Sequence, residues 1–418
     1  MDTDVAIVGY DCLSPLGTTF ASTWKELVNN RSGVTLLDRY DPAKETLSGV
    51  SSIAFAGQIP LSYAEMAGSA ERYQRSPEPS YHCVRTVCQR VLEAVDFKTS
   101  HHDPQRIALF GATALTAQIS QHVLTTTSRP YAAFMLNQCH NIPLAIAAKE
   151  FGLQGPSFSI GGACASGNHA LFLAYHFVKT GLVDCALVAG FEFPLLPICA
   201  GGFEWLHALY KRDRPEDRAY DHPAAASRPF SPDRRGFVLA EAVGVVLISA
   251  VEYAHRSGWP VKAIIKGGYL NSDGDHLTRM ATENIAVCMR EALRASGCRP
   301  EAVECINAHA TSTPVGDAAE LRALSQVFGD RLTRVPVVAN KSQIGHSLGA
   351  SSVLELMIAV EGMNEAVVLP TLNHRPDPAL PEAFIPASAL QYTHRVTLLN
   401  SFGFGGTNAS LVVGLVDS

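Results

Sequence analysis

The sequence contains few charged residues and no excess of basic ones. Charged residues make up 17% of its 418 residues, apolar residues make up 47%, and the net charge is −6. A nucleic-acid-binding protein is more often basic, so this balance weighs against that class. It also argues against intrinsic disorder and favours a large buried core. The length predicts two cores or a duplicated unit, although no clear sequence repeat is visible.

The sequence also shows no closely spaced CxxC pair of cysteines. It shows no stretch that is typical of an export signal or a membrane span. No CxxC motif occurs among the ten scattered cysteines, which we interpret as reduced thiols of a cytoplasmic protein. The N-terminus lacks the basic and long apolar regions of an export signal. The most apolar stretch, residues 170–202, is interrupted by charged residues. It therefore predicts a buried helix and strand rather than a membrane span.

Short apolar runs alternate with helix-like segments along the chain. Residues 5–9 and 107–111 predict buried strands, and residues 81–95 have the spacing of an amphipathic helix. A long helix is predicted over residues 349–363 and a closing hairpin over residues 398–416. This alternation of strands and helices favours an α/β architecture.

One cysteine lies in a sequence setting that is typical of a nucleophile. Cys164 lies in a Gly-rich turn, residues 161–167, between a strand-like run and a helix-like run. That order puts the thiol at the start of a buried helix, where the N-terminus favours thiolate over thiol. An arbitrary cysteine is more often a small apolar core residue, so both interpretations stay open at this point.

Two histidines and a Gly-rich segment follow downstream. His309 precedes three hydroxyl residues, and His346 follows Lys341 in a segment rich in small residues. The first loop can hydrogen-bond a polar chain, and the second adds an imidazole and an ammonium group. Residues 401–408 contain glycines that let N–H groups point at an oxyanion. Each motif alone is also typical of an ordinary helix cap, loop or turn.

In this order and spacing, the four motifs resemble those of the β-ketoacyl-acyl carrier protein synthase (ketosynthase) family. The resemblance extends from Val5 to Asn408, and it is strongest with the elongating Cys-His-His branch because His346 stands where the priming branch has Asn. It implies a thiolase-like five-layered αβαβα sandwich built of two similar halves. Residues 1–255 would carry the nucleophilic cysteine and residues 256–418 both histidines.

The resemblance also implies a role for each residue of the site. Cys164 would take the acyl chain, and His309 and His346 would hydrogen-bond the thioester carbonyl of a malonyl unit. Lys341, paired with Glu320, would set the electrostatics of the site.

The resemblance assigns three further residues to substrate handling. The backbone N–H groups of Cys164 and Phe404 would form the oxyanion hole, and Phe404 would also be a gate. Thr311 and Thr313 would bind the pantetheine arm.

The implied reaction is a decarboxylative Claisen condensation in fatty acid or polyketide chain elongation. The substrates would be carried on the phosphopantetheine of an acyl carrier protein, with no metal or other cofactor. The chain would be a cytoplasmic homodimer, or a heterodimer with a ketosynthase-like subunit, without nucleic acid or a membrane span. The acyl pocket would reach toward the subunit interface, with a contribution from residues 137–142.

Several other functions fit the sequence less well. A thiolase needs a second cysteine near the C-terminus, but none follows Cys305. A non-elongating, chain-length-determining partner subunit would be expected to lack the nucleophile. A cysteine protease would leave His346 and the Phe404 segment unexplained. A metal site built from Cys164, His309 and His346 is conceivable, but the Gly-rich loops give no reason to expect a closed ligand shell.

Overall fold

The fold alternates strands and helices along the chain. The computed structural model describes residues 3–41, 53–69, 71–72, 78–98, 101–115, 136, 138–210, 222–277 and 280–416. Within these residues the strands are β1 Val5–Leu13, β2 Val34–Leu36, β3 Phe55–Gly57, β4 Ile107–Ala112, β5 Ser157–Ile160, β6 Cys185–Glu192, β7 Ala242–Ala250, β8 Ala263–Ser272, β9 Cys305–Asn307, β10 Val337–Val338, β11 Val367–Val368, β12 Leu390–Gln391, β13 Val396–Gly403 and β14 Thr407–Gly414. The α-helices are α1 Phe20–Val28, α2 Tyr63–Met66, α3 Ser80–Ala94, α4 Ile142–Phe151, α5 Ser166–Lys179, α6 Pro197–Trp205, α7 Val251–Arg256, α8 Thr282–Ala295, α9 Pro314–Phe328, α10 Lys341–Ile344 and α11 Ser351–Glu365.

Ten of the strands form one continuous sheet, in the order β10-β9-β13-β14-β8-β1-β7-β6-β4-β5. When the strands of each half are numbered along the chain, both halves have the order 3-2-4-5-1 from the outer edge to the centre. The halves meet where β1 pairs antiparallel with β8. Two similar halves are therefore confirmed, although no repeat is visible in the sequence.

Alternate residues of each strand pack against different helix layers, because successive side chains of a strand point to opposite faces. Val5 and Ile7 of β1 join a central core with α5 and α11, whereas Ala6 and Val8 face α3 and α4. On the far side, Leu398 of β13 joins the core formed with α8 and α9. Helices α5 and α11 thus form the middle layer of the predicted αβαβα sandwich.

Helix α11 is enclosed on nearly all sides. Of its 15 residues, all but Glu361, Asn364 and Glu365 are buried. A helix that is apolar all round is typical of such a position, and the predicted helix over 349–363 is confirmed with a shift of two residues. Glu355 is the charged residue within the buried part, so it requires a partner. The predicted division after residue 255 falls within α7 and stays a prediction.

Candidate active site

The turn that carries Cys164 joins strand β5 to helix α5. Ala163 adopts a left-handed backbone conformation, with φ at 49°, which non-glycine residues rarely do. The hydroxyl of Ser166 accepts a hydrogen bond from the Gly162 N–H at 2.9 Å and donates to the Ala163 carbonyl at 2.6 Å. The predicted strand, turn and helix are present, and the helix begins at Ser166, two residues after the thiol.

Burial dominates the electrostatics of the Cys164 thiol, which is 7% exposed. Removal from water raises its pKa to about 12, and the nearby Glu192 also raises it. Lys341 and the backbone N–H groups of Cys164 and Phe404 act in the opposite direction. Desolvation of the thiolate therefore opposes the effect predicted for the helix N-terminus and makes the sulfur harder to ionise than the sequence alone suggests.

His309 follows strand β9 and is held by a carboxylate. The side chain of Glu320, on α9, accepts hydrogen bonds from the backbone N–H groups of His309 at 2.9 Å and Ala310 at 2.8 Å. Burial, Lys341 and His346 together hold the pKa of His309 well below its usual value of 6.5. The imidazole is therefore neutral at physiological pH.

His346 lies between α10 and α11, against His309. The two imidazole centroids are 5.5 Å apart at an interplanar angle of 85°, and the Phe237 ring packs edge-on at 5.1 Å. Nδ1 of His346 lies 3.0 Å from the Ser351 hydroxyl oxygen. Burial and the Lys341 charge hold its pKa well below 6.5. The site thus presents two neutral imidazoles rather than imidazolium ions.

Lys341 makes a buried ion pair, but not with the predicted partner. Its Nζ lies 2.5 Å from Oε1 of Glu355, and both side chains are almost wholly buried. The predicted Lys341–Glu320 pair is wrong, because the Glu320 oxygens are turned to the backbone of the His309 loop and to the Asn400 amide. Lys341 still opposes the rise that burial causes in the pKa of Glu320, so the two are electrostatic neighbours.

The hairpin between β13 and β14 brings backbone against Cys164. A Cβ atom on Gly403 would lie 2.6 Å from the Gly162 carbonyl oxygen and 3.1 Å from the Cys164 nitrogen, so this close approach requires glycine. Ser401 donates to the Cys164 carbonyl at 2.9 Å. The N–H of Phe404 is near enough to the sulfur to stabilise its thiolate form. The geometry suits the expected pair of oxyanion donors.

A cavity of about 340 Å³ brings most of the sequence-predicted residues together. Its walls include Cys164, His309, Thr311, Thr313, His346 and Phe404. The hydroxyl oxygens of Thr311 and Thr313 lie 3.1 Å apart, and the exposed side chains of Leu206, Leu277 and Val315 also line the cavity. Lys341 and Glu320 are buried outside its lining and act through the residues that they contact. Asn137, expected near the acyl pocket, lies outside the described residues.

Sequence reasoning missed two buried carboxylates that hold the site. Glu355 pairs with Lys341, and Glu192 accepts backbone hydrogen bonds from Ala114 at 2.7 Å, Leu115 at 3.0 Å and Gly349 at 3.1 Å. Each of these glutamates interrupts an otherwise apolar stretch of sequence. That interruption is the signal that could have identified them, since a buried charge needs partners.

Two further properties concern metals and membranes. Within the residues described, no group of three or more His, Cys, Asp or Glu side chains is arranged to hold a metal ion. Across the same part of the chain, every helix is too short or too polar to traverse a bilayer.

Comparison with protein families and curated proteins identifies relatives of this chain. Residues 2–254 match the model of the beta-ketoacyl synthase N-terminal domain, and residues 262–375 match that of the C-terminal domain. The chain is 31% identical to chloroplastic 3-oxoacyl-[acyl-carrier-protein] synthase I of Arabidopsis thaliana, over 97% of this chain and 85% of the relative. It is 30% identical to 3-oxoacyl-[acyl-carrier-protein] synthase 2 of Coxiella burnetii, over 99% of this chain and 98% of the relative.

Solved structures share the fold. A beta-ketoacyl synthase from Burkholderia phymatum STM815 aligns with a TM-score of 0.86 and 25% identity, over 99% of this chain and 100% of that chain. A ketosynthase complex with its type II polyketide acyl-carrier protein, bound to the hexaketide, aligns with a TM-score of 0.86 and 24% identity, over 100% of each chain. The predicted thiolase-like architecture is confirmed. With both family models matched, this chain belongs to the β-ketoacyl synthase family and is a condensing enzyme of the acyltransferase class.

Proposed function

We propose that this cavity joins an acyl thioester to a malonyl thioester by decarboxylative Claisen condensation, as in fatty acid or polyketide chain elongation. The observation that carries the proposal is the meeting of one thiol, two neutral imidazoles and the Phe404 backbone N–H at a single cavity. The products would be a β-ketoacyl thioester and CO2.

The first half-reaction transfers the acyl group to Cys164. A bond forms between the Cys164 sulfur and the acyl carbon as the bond to the carrier sulfur breaks, and the thiol proton ends on the carrier sulfur. Because burial raises the pKa of the thiol, its proton has to leave as the sulfur attacks, and the departing carrier sulfur is the final acceptor of that proton. The N–H groups of Cys164 and Phe404 would stabilise the oxyanion that forms.

The second half-reaction generates the carbon nucleophile. As CO2 leaves the malonyl unit, the electron pair of the broken C–C bond moves onto the thioester carbonyl as an enolate. N–H donors from His309 and His346 would stabilise that oxygen, at ~3–4 kcal/mol for each donor. The enolate carbon then attacks the acyl carbon on Cys164, and the cysteine sulfur leaves. Neutral imidazoles suit this role because they donate hydrogen bonds without releasing a proton.

The proposed substrate carrier is an acyl carrier protein. Thr311 and Thr313 present hydroxyl groups on the cavity wall, where they would hydrogen-bond the amides of a pantetheine arm delivered by an acyl carrier protein. Support comes from the solved ketosynthase complex with its carrier protein and from a ketosynthase/chain length factor of similar fold. Pairing with a second copy or with a ketosynthase-like subunit, and the cytoplasmic location, stay predictions.

The test is to incubate the protein with acyl and malonyl carrier proteins and to analyse products by mass spectrometry. We expect an acyl adduct on the peptide that contains Cys164, followed by a β-ketoacyl product two carbons longer. The absence of both adduct and product with acyl groups of several lengths would contradict the proposed function.

A further inference from the structure

A hydroxyl group lies beside His346 at the start of helix α11. Ser351 is 1% exposed, and its Oγ lies 3.0 Å from Nδ1 of His346. The second hydroxyl that it contacts is that of Ser347, at an Oγ–Oγ distance of 3.3 Å. Ser351 can therefore accept a hydrogen bond from Ser347 while it donates to the imidazole.

Contacts other than the one with Ser351 also hold His346, whose ring packs against Phe237 and His309. Its backbone N–H donates to the Val238 carbonyl at 2.7 Å, and its carbonyl accepts from the Ala240 N–H at 3.0 Å. Among the residues that the structure describes, no hydrogen-bond partner reaches its buried Nε2, and the residue lines the cavity. What remains to be set is which ring nitrogen carries the proton.

The position of Ser351 favours a lone pair on Nδ1. Ser351 is the first residue of a 15-residue α-helix, and its own N–H donates to the Leu348 carbonyl of a short 3₁₀ helix that precedes it. The aligned peptide dipoles of α11 give its first turn a positive potential. Such a potential disfavours a second N–H dipole pointing toward it. The hydroxyl proton and the helix terminus thus act in the same direction, as in sites where a helix N-terminus keeps an imidazole neutral so that it can polarise a carbonyl.

We propose that Ser351 is a positioning residue that fixes His346 as the tautomer protonated at Nε2. The ring then presents an N–H, rather than a lone pair, to the cavity. This inference rests on the proposed function for its consequence: His346 would be ready to donate to the thioester oxygen before CO2 leaves. Without the hydroxyl, the buried Nδ1 would lose its donor, and the tautomer protonated at Nδ1, which places a lone pair in the cavity, would gain population.

The direct test is ¹⁵N NMR of histidine-labelled protein, with the His346 resonances assigned by their loss in His346→Gln. We expect the wild type to carry its proton at Nε2 and Ser351→Ala to shift toward a mixture of tautomers. Ser249→Ala, which removes a remote buried hydroxyl on β7 that donates only to carbonyls, should leave the spectrum unchanged. A wild-type proton at Nδ1, or identical tautomer populations in wild type and Ser351→Ala, would overturn the proposal.

A kinetic test measures the consequence in a Cys164→Gln background, where malonyl decarboxylation is isolated from acyl transfer. Adding Ser351→Ala should lower kcat about tenfold, the size of one hydrogen bond, with KM little changed. Ser351→Thr keeps the hydroxyl and should retain more activity than Ser351→Ala. An equal fall in kcat for Thr and Ala would contradict a role for the hydroxyl.

The two tests separate the inference from the proposed function. The NMR result depends only on the proton position, so it can support the role of Ser351 even if no condensation is found. If condensation occurs but the Ser351→Ala spectrum and decarboxylation rate equal those of the parent proteins, the proposed function stands and the role of Ser351 falls.

Discussion

The two halves of the molecule share one strand order but supply different chemistry from equivalent places. In the N-terminal half, the third strand, β5, leads into the Cys164 turn and then into α5. In the C-terminal half, the third strand, β10, leads through Lys341 and His346 into α11. Because α5 and α11 lie together in the middle layer, both turns reach the same cavity. The shared strand order thus gives two similar scaffolds, one for a nucleophile and one for hydrogen-bond donors.

Each half also uses a buried carboxylate to hold loops at the cavity. Glu192, at the end of β6, accepts N–H groups of Ala114 and Leu115 and, from the other half, of Gly349. Glu320 accepts N–H groups of the His309 loop. Burial raises the pKa of Glu192 to about 8 and also raises that of Glu320. Both carboxyl groups therefore hold their proton more tightly than exposed glutamates do, while their oxygens fix the loop backbone.

The largest effect should come from removing the nucleophile of the N-terminal half. Cys164→Gln should abolish condensation, because no sulfur remains to carry the acyl group. Malonyl decarboxylation should persist or increase, because the histidines of the C-terminal half remain. Mass spectrometry of products and a CO2 assay measure the two activities. Loss of both would count against a division of labour between the halves.

Removing a donor of the C-terminal half should give the reverse pattern. His309→Ala, placed in the Cys164→Gln background, should slow decarboxylation by about 10²–10³, the usual effect of losing one oxyanion donor. In the wild-type background it should still form an acyl adduct on Cys164, which intact-mass measurement detects. An unchanged decarboxylation rate would contradict the assignment of the hydrogen-bond donors to the C-terminal half.

Removing one partner of the buried ion pair of the C-terminal half should lower stability. Lys341→Met leaves Glu355 buried without a partner and should lower the free energy of unfolding by about 3–5 kcal/mol. Lys341→Met with Glu355→Leu should recover much of that loss, because no uncompensated charge remains. Urea unfolding of wild type, single and double variants measures this. A double variant no more stable than Lys341→Met would contradict the assignment.

The contact between the halves at Gly403 should tolerate no side chain. Gly403→Ala places a Cβ against the backbone of Gly162 and Cys164 and should lower condensation about tenfold or more by displacing the Phe404 N–H. The matched control is Gly161→Ala, whose Cβ meets no atom within 4 Å. Equal kcat values for the two variants would show that the hairpin does not position the oxyanion donor.

The smallest effect concerns pH and the two imidazoles. Both have folded-state pKa values well below 6.5, so below pH 6.5 the unfolded chain binds protons that the folded protein excludes. Stability should therefore fall as the pH drops from 7.5 to 5.5. His346→Gln should reduce that fall by about 1.4 kcal/mol. Urea unfolding at both pH values measures it, and an identical fall in the variant would contradict a neutral His346.

Local patterns in the sequence predicted much of the fold and most of the cavity wall. The Cys164 turn, the β13–β14 hairpin and α11 all follow from short-range signals of glycine, strand alternation and apolar spacing. The downstream motifs also contained His309 and His346, and the resemblance added roles for Thr311, Thr313 and Phe404. The structure places these five residues on one cavity. Such positions are predictable because each depends on a few neighbouring residues.

The partners of buried polar groups could not be predicted in the same way. Glu320 and Glu355 were both available to Lys341, and only the packing of α9 and α11 against the loops decides between them. The hydroxyl of Ser351 likewise depends on how α11 faces His346. The shared strand order of the halves is equally invisible in sequence, since many apolar residues satisfy the same core positions.

Single turnover of an acylated protein tests the central claim most directly. Protein loaded with one acyl group on Cys164 is mixed with malonyl carrier protein, and released CO2 and remaining acyl adduct are counted together. The account predicts that each acyl group leaves Cys164 as a β-ketoacyl product with release of one CO2. Release of CO2 while the acyl group stays on Cys164, or loss of the acyl group as free acid without CO2, would contradict it.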